Sequence, residues 1–471
     1  MITLTAAEIA LVTGGECHAP AATRVTAPAV VDSRLVEPGG LFVALPGEHV
    51  DGHDYAAAAL ANGAALILGE REIDGPCVVV EDGAKALGAL AREVLRRLRA
   101  AGQITVIGIT GSVGKTTTKD LLAQLLGPSG PTIAPAESFN NEIGLPLTVL
   151  RADPSTRYLV LEMGASGPGH LVYLTGIAPP DVAVVLVVGR AHLGGFGGIE
   201  AVAAAKSEIV AGLAPGGLAV LNADDARVAA MAARAPGEVL WFGAGAGAGA
   251  GAAAQVRAEG VVVDRNGRAR FTLRGPDGAA EVTLRLVGEH HVHNAVAAAA
   301  AAIATGLTVD EVATRLSGAR AISPHRMAVT ERPDGVTVID DSYNANPDSM
   351  RAALKALAVM AGRERRSIAV LGEMLELGED SRLAHDELGR LAVRLNISVL
   401  VVVGNGARAI HDGAAHEGSW GEESILVQDV DAARAFLDRM IAPGDVVLVK
   451  SSHGAGLWRL GEYLTATGGN E

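Results

Sequence analysis

Lysine, cysteine and aromatic residues are all scarce in this 471-residue chain, which carries six lysines, two cysteines and only 3% Phe, Trp and Tyr. Two thiols, Cys17 and Cys77, cannot build a disulfide framework, so the fold has to close around an apolar core and suits a reducing compartment. With so few aromatics, that core has to come from aliphatic side chains. Positive charge is short as well. The formal net charge is -14, and no basic stripe is present to replace counterions along a phosphate backbone, which excludes nucleic acid as a partner. Long apolar runs are missing too. The most apolar stretch, 182–188, is far shorter than the ~20 residues that cross a bilayer. The alanine-rich stretch 295–304 is helix-forming but weakly apolar, the pattern of a buried helix rather than a membrane span. Met1-Ile2-Thr3-Leu4-Thr5 places no basic segment before an apolar core, so no export signal is expected. A cytoplasmic protein is the expectation.

The chain is nevertheless rich enough for several cores. It is 49% hydrophobic and 20% charged, and at about 150 residues per domain its length suggests three domains. Residues 1–100 read as short strands and helices punctuated by Glu37-Pro38-Gly39-Gly40 and Leu45-Pro46-Gly47. Over 101–323 the pattern predicts a strand to Ile109, a helix from about Lys115, strands over 158–161, 182–188 and 218–221, and a helix over 199–213. Between Gln255 and Val287 the period becomes two, with a turn at Asn266-Gly267, so antiparallel hairpins should close that sheet. The Gly-Ala run 243–254 reads as a flexible surface loop. Over 324–471, strands near 336–339, 367–371, 399–403, 425–427 and 446–449 alternate with helices. The fold class expected is α/β in three domains: a small α/β N-terminal domain, a central P-loop ATPase-type mostly parallel sheet, and a C-terminal Rossmann-like doubly wound sheet. The last lacks a Gly-x-Gly-x-x-Gly turn, so no dinucleotide cofactor is indicated.

The chemistry concentrates where strands end. Thr110-Gly111-Ser112-Val113-Gly114-Lys115-Thr116-Thr117 follows the apolar run 104–109, so a buried strand feeds a glycine turn whose backbone N–H groups face phosphate oxygens. A helix N-terminus aims its dipole at the same anion. Lys115 would reach the β- and γ-phosphates of a nucleoside triphosphate and the Thr116 hydroxyl would ligate Mg²⁺. Ile109 holds the position of the usual first glycine, with Gly108 one residue earlier. Glu162 ends the next strand, either as a metal ligand or as a solvated cap. His192, in the glycine-rich stretch after 182–188, reads as a loop residue or as a ligand to metal or phosphate. Lys206 lies in an apolar helix, and its spacing alone reads as a snorkelling surface lysine. The run from Asp340 to Met350 leaves a strand through polar residues, with Asn346-Pro347 capping a helix, and reads as a ligand site. His290, His291 and His293 lack the further ligands of a zinc spacing.

Taken in order, these motifs make the chain resemble the Mur ligase family over nearly its whole length. Asp32-Ser33-Arg34, the stretch from Pro38 to Leu45 and Asp51-Gly52-His53-Asp54 match the segments that hold the uridine end of the substrate. The stretch from Ser138 to Pro146, with Asn140 and Asn141, matches the loop that receives the nucleotide substrate. The resemblance implies two Mg²⁺ sites, one at Thr116 and Glu162 and the other at His192 and a carbamylated Lys206. It also implies Arg326 near the ATP phosphates, Asp341 on the nucleoside and Asn294 at the adenine. The runs 340–350 and 371–378 are most specific to the member that joins D-alanyl-D-alanine to UDP-N-acetylmuramoyl-tripeptide through an acyl phosphate in peptidoglycan precursor synthesis. The Asp-Asn-Pro-Arg of the tripeptide-forming relative is absent, as is the Asn-Lys-x-Asp of a GTPase. A monomer is expected, and productive geometry would require its domains to close about 323–326. His291 stands where the family usually has asparagine, and His453 where many members carry arginine.

Overall fold

The computed structural model describes residues 1–47, 50–135, 137–189, 197–244, 254–418 and 424–466. Its N-terminal sheet has five strands in the order Glu16–His18, Cys77–Val79, Leu66–Gly69, Leu41–Val43 and Ala29–Val30, of which only the first pair is antiparallel. The helix Gly83–Ala101 begins where Asp82 accepts a hydrogen bond from the Lys85 N–H, a side-chain cap for an otherwise unpaired donor. Its buried Leu87, Leu90, Val94 and Leu98 recur at helical spacing. They pack in one continuous apolar cluster with the N-terminal sheet and one face of the central sheet.

The central sheet has nine strands in the order Gly278–Val287, Arg268–Gly275, Val256–Val263, Val239–Gly243, Leu218–Asn222, Val182–Val185, Thr105–Thr110, Tyr158–Glu162 and Thr132–Ile133. Only the pairings of Arg268–Gly275 with its two neighbours are antiparallel. They form two of the predicted antiparallel hairpins, the first turning at Gly267, whose φ of +73° suits a residue without Cβ. The helices Lys115–Leu126, His291–Ala304 and Val309–Gly318 cover the other face. The alanines from Ala295 to Ala302 are completely buried there, their small side chains letting the helix approach closely.

Two expectations need correction. The strand read as 182–188 stops at Val185. Beyond it, Leu186 N donates to Thr110 O and Val187 O accepts from Ser112 N, so the chain follows the glycine turn instead of the sheet. The helix read as 199–213 breaks into Ile199–Lys206 and Glu208–Ala211, where the Ser207 hydroxyl bonds back to Ala204 O at 2.5 Å. The Gly-Ala run falls largely on 245–253, outside the described residues.

The third sheet runs Ala328–Glu331, Thr337–Asp340, Val446–Lys450, Ser367–Leu371, Val399–Val403 and Ser424–Val427, parallel except for its first pair. Apolar clusters cover both of its faces, as a doubly wound sheet requires.

Candidate active site

The strand Thr105–Thr110 lies between Tyr158–Glu162 and Val182–Val185, so the glycine turn opens at the carboxyl ends of parallel strands. Gly114 adopts φ +84°, and a Cβ there would overlap the Asn294 side-chain oxygen. Both conditions demand glycine at the turn into the helix. Ser112 ties the turn to the neighbouring strand end, its Oγ accepting from Gly189 N at 2.8 Å. Lys115 Nζ donates to Gly111 O at 2.9 Å, folding the side chain back over the turn. Burial lowers the Lys115 ammonium below the usual lysine range, while Glu162 opposes that shift and Arg326 adds to it.

Beside it lies a compact set of oxygens. Glu162 is 1% exposed. Its Oε2 accepts from Thr116 Oγ1 at 2.9 Å, and its Oε1 accepts from Asn140 Nδ2 at 2.7 Å. Ser138 Oγ lies 2.9 Å from Thr116 Oγ1. A buried carboxylate with hydroxyl oxygens at hydrogen-bond distance is the oxygen donor chemistry that Mg²⁺ takes, so these residues fit that ion.

From the segment leading into the third sheet comes Arg326, whose Nη2 donates to Thr116 Oγ1 at 3.2 Å and to Ser138 Oγ at 3.0 Å. The guanidinium sits 4.2 Å above the centre of the Tyr343 ring, and its Nε is buried with no partner among the described residues. His325 and Met327 on either side adopt φ of +57° and +52°. Such left-handed conformations are unfavourable outside glycine and are retained here where the chain turns Arg326 toward Thr116 and Ser138. Asp341 is held by Met327 N at 3.1 Å and by buried Lys450 Nζ at 2.5 Å. Asn346 caps the helix Pro347–Ala361, as its sequence predicts.

Lys206 overturns the reading from spacing. It is 3% exposed and has no hydrogen-bond partner among the described residues. Burial, followed by the nearby Lys115 charge, lowers its ammonium to about 7. Its amine therefore loses its proton more readily than an ordinary lysine.

These groups line one cleft of about 1170 Å³, which the turn residues Ser112 to Thr117 share with Ser138, Asn140, Asn141, Glu162, Lys206, Asn294, Arg326 and Asp341. Thr110 lies buried at the strand end beneath it. Ser33 and Arg34 are not brought to this cleft. Ser33 is buried in the short helix Ser33–Leu35, and Arg34 points to solvent in a 2.7 Å pair with Asp32. His192 lies outside the described residues. His291 is buried 3.2 Å from the Asn294 amide, while His453 is exposed and stacks on Trp458 at 5.8 Å. Sequence reasoning missed Tyr343 beneath Arg326 and the grip of Lys450 on Asp341. The available signal for Lys450 was a lysine ending an apolar strand in a lysine-poor chain.

The domain models that match describe the same three units: "Mur ligase family, catalytic domain" over 30–94, "Mur ligase middle domain" over 109–302, and "Mur ligase, glutamate ligase domain" over 325–453. The chain belongs to the Mur ligase family. Among its relatives, the UDP-N-acetylmuramoyl-tripeptide--D-alanyl-D-alanine ligase of Mycobacterium leprae is 47% identical, with 99% of each chain covered. The ligase of that name from Escherichia coli is 34% identical, covering 99% of this chain and 100% of its own. A crystal structure of MurF from Acinetobacter baumannii superposes with a TM-score of 0.85 at 33% identity, covering 99% of both chains. MurF ligase from Thermotoga maritima in complex with ADP gives 0.77 at 32% identity, covering 94% of this chain and 98% of that one.

Proposed function

We infer that this chain is an ATP-dependent amide ligase that adds D-alanyl-D-alanine to UDP-N-acetylmuramoyl-tripeptide in peptidoglycan precursor synthesis. The observation that carries the inference is the meeting of Lys115, Thr116 and Glu162 from the central unit with Arg326 and Asp341, which flank strands of the third sheet, in one cleft. A carboxylate is a poor electrophile. Transfer of the γ-phosphoryl group of ATP to the tripeptide's terminal carboxylate oxygen, with release of ADP, supplies a leaving group. The amine of the dipeptide then forms the amide bond, and phosphate departs with that oxygen.

The chain's own part is positioning and charge neutralisation. The glycine turn and Lys115 cradle the phosphates, and Arg326 brings a fixed positive charge to the transferring group. Asp341 accepts from the nucleoside, held in place by Lys450, and Asn294 lies at the base. Asn140 and Asn141 stand at the entrance for the nucleotide substrate, and Ser33 and Arg34, away from the cleft, hold its uridine end. Thr116 and Glu162 would hold one Mg²⁺, and a carbamylated Lys206 with His192 a second. Bound there, the metal neutralises phosphate charge. Carbamylation needs a neutral amine, which the lowered Lys206 value supports, and it turns a repelling cation into an anionic oxygen donor. The three units would act as UDP-substrate, ATP and ligase domains over about 1–100, 101–323 and 324–471, in the cytoplasm.

Phosphate release assayed with each substrate omitted in turn tests the inference. Release is expected only when UDP-N-acetylmuramoyl-tripeptide and D-alanyl-D-alanine are both present, and a free diamino acid should not replace the dipeptide. Steady hydrolysis of ATP without them would instead mark a nucleotide switch.

A further inference from the structure

The first turn of the helix Lys115–Leu126 faces the phosphate site, and the next turn carries Lys119 and Asp120, two charges that the glycine turn does not require. Lys119 is completely buried. Its Nζ lies 2.7 Å from Asp120 Oδ1 and donates to Pro135 O at 2.5 Å and to Ser323 Oγ at 3.5 Å. Asp120 Oδ2 accepts from Ser323 N at 3.1 Å. A buried ion pair is seldom a net gain in stability over apolar residues of similar volume, so its placement calls for another reason.

That reason lies in what its two partners carry. Pro135 and Ser323 each stand three residues before a side chain of the cleft, Ser138 and Arg326, and those two meet at Thr116 Oγ1, one turn up the same helix. The segment leading to the third sheet is laid antiparallel along this helix. Arg315 bonds Leu125 O, Arg320 exchanges two 3.0 Å bonds with Gln124, Ser323 bonds Asp120, and Arg326 reaches Thr116.

We propose that Lys119 and Asp120 are positioning residues that seat two separate chain segments on the phosphate-binding helix, so that Ser138 and Arg326 converge at Thr116. The proposal deepens the ligase reading and rests on it. Neither residue is among the described residues that line the cleft. Their effect passes through Arg326 and Ser138, and it should appear in turnover more than in ATP affinity.

The double variant K119M/D120L removes both charges together and leaves no unpaired ion, so the fold should survive. Misplacing a reacting group by about 1 Å can cost about 10²-fold, so kcat is expected to fall by at least about thirtyfold while KM for ATP changes by less than about threefold. Arg326→Ala should cost about 10²-fold in the parent protein, in line with loss of one charge-stabilising group. In K119M/D120L the same change should cost under about threefold, because the guanidinium is already displaced. Hydrogen exchange over 131–138 and 319–327 should quicken without any substrate present. If K119M/D120L does not fold, K119Q, too short to reach Pro135 while leaving Asp120 hydrogen-bonded, is read the same way. Parental kcat with unchanged exchange, or an equal cost of Arg326→Ala in both backgrounds, overturns the proposal. Absence of product from the parent protein would overturn the ligase reading, and the exchange comparison would still decide the positioning role.

Discussion

Lys115→Met is expected to lower kcat by at least about 10³-fold, or about 4 kcal/mol of transition-state stabilisation, while leaving the fold intact. Methionine is a close match in length and apolar bulk, so the packing over the glycine turn survives. The sign of the stability change follows from the lowered ammonium value. A lysine whose folded-state value lies below its unfolded one costs stability at neutral pH, where the unfolded chain holds the proton more readily. Removing it should therefore leave Tm unchanged or raise it. The activity loss arises because Lys115 is the cation folded over the turn itself. Arg326 lies on the Thr116 side, engaged with Ser138 and Tyr343. Steady-state kinetics and a thermal melt of the same preparation check both halves. A variant within tenfold of the parent kcat would remove Lys115 from the mechanism.

Lys206→Ala should cost about 10²-fold in kcat, the scale of losing one charge-stabilising group. The same lysine should also give the parent enzyme a distinctive pH and bicarbonate dependence. With its value lowered to about 7, the amine is mainly protonated below pH 7, losing about tenfold of its neutral form per unit, and mainly neutral above it. Carbon dioxide adds only to the neutral amine. Activity should therefore rise from pH 6 to 8, and added bicarbonate should restore most of it at pH 6.5. In Lys206→Ala both responses should vanish, and a carbamate carbon signal seen by ¹³C NMR in the parent with labelled bicarbonate should be missing. Full activity in carbon-dioxide-free buffer, or an unchanged bicarbonate response in the variant, would contradict the carbamate.

How much of this was legible depends on how local each cause is. The strand, glycine turn and helix around Lys115 lie within one short stretch, and their backbone demands are visible in it. Gly114 and the Asn346-Pro347 cap were readable for the same reason. The apolar strands of the third sheet were readable because burial on both faces leaves nearly uninterrupted aliphatic runs. The break at Ser207 was not, because a hydroxyl bonding back to a carbonyl competes with the helix without altering its apolar pattern. Lys206 misled in the other direction. Among alanines on a helix it looks like a solvent-facing lysine, and only the packing of that helix against the cleft makes it 3% exposed. Family resemblance gave the opposite role for a reason that spacing does not contain. The convergence of Ser138 and Arg326 on Thr116 was out of reach, because it joins residues far apart in the chain through a linker docked on a helix. The separation of Ser33 and Arg34 from the cleft likewise emerges only when the N-terminal and central sheets are packed together.

The central claim is that this cleft activates a carboxylate by phosphorylating it. The direct measurement uses UDP-N-acetylmuramoyl-tripeptide labelled with ¹⁸O in its terminal carboxylate, incubated with the protein, ATP, Mg²⁺ and D-alanyl-D-alanine. Mass analysis of both products reads the outcome. One ¹⁸O should appear in each phosphate released, alongside an equal amount of the pentapeptide-bearing nucleotide. Phosphate free of label, with that product formed, would show that the carboxylate oxygen never received the phosphoryl group and would contradict the mechanism at its first step.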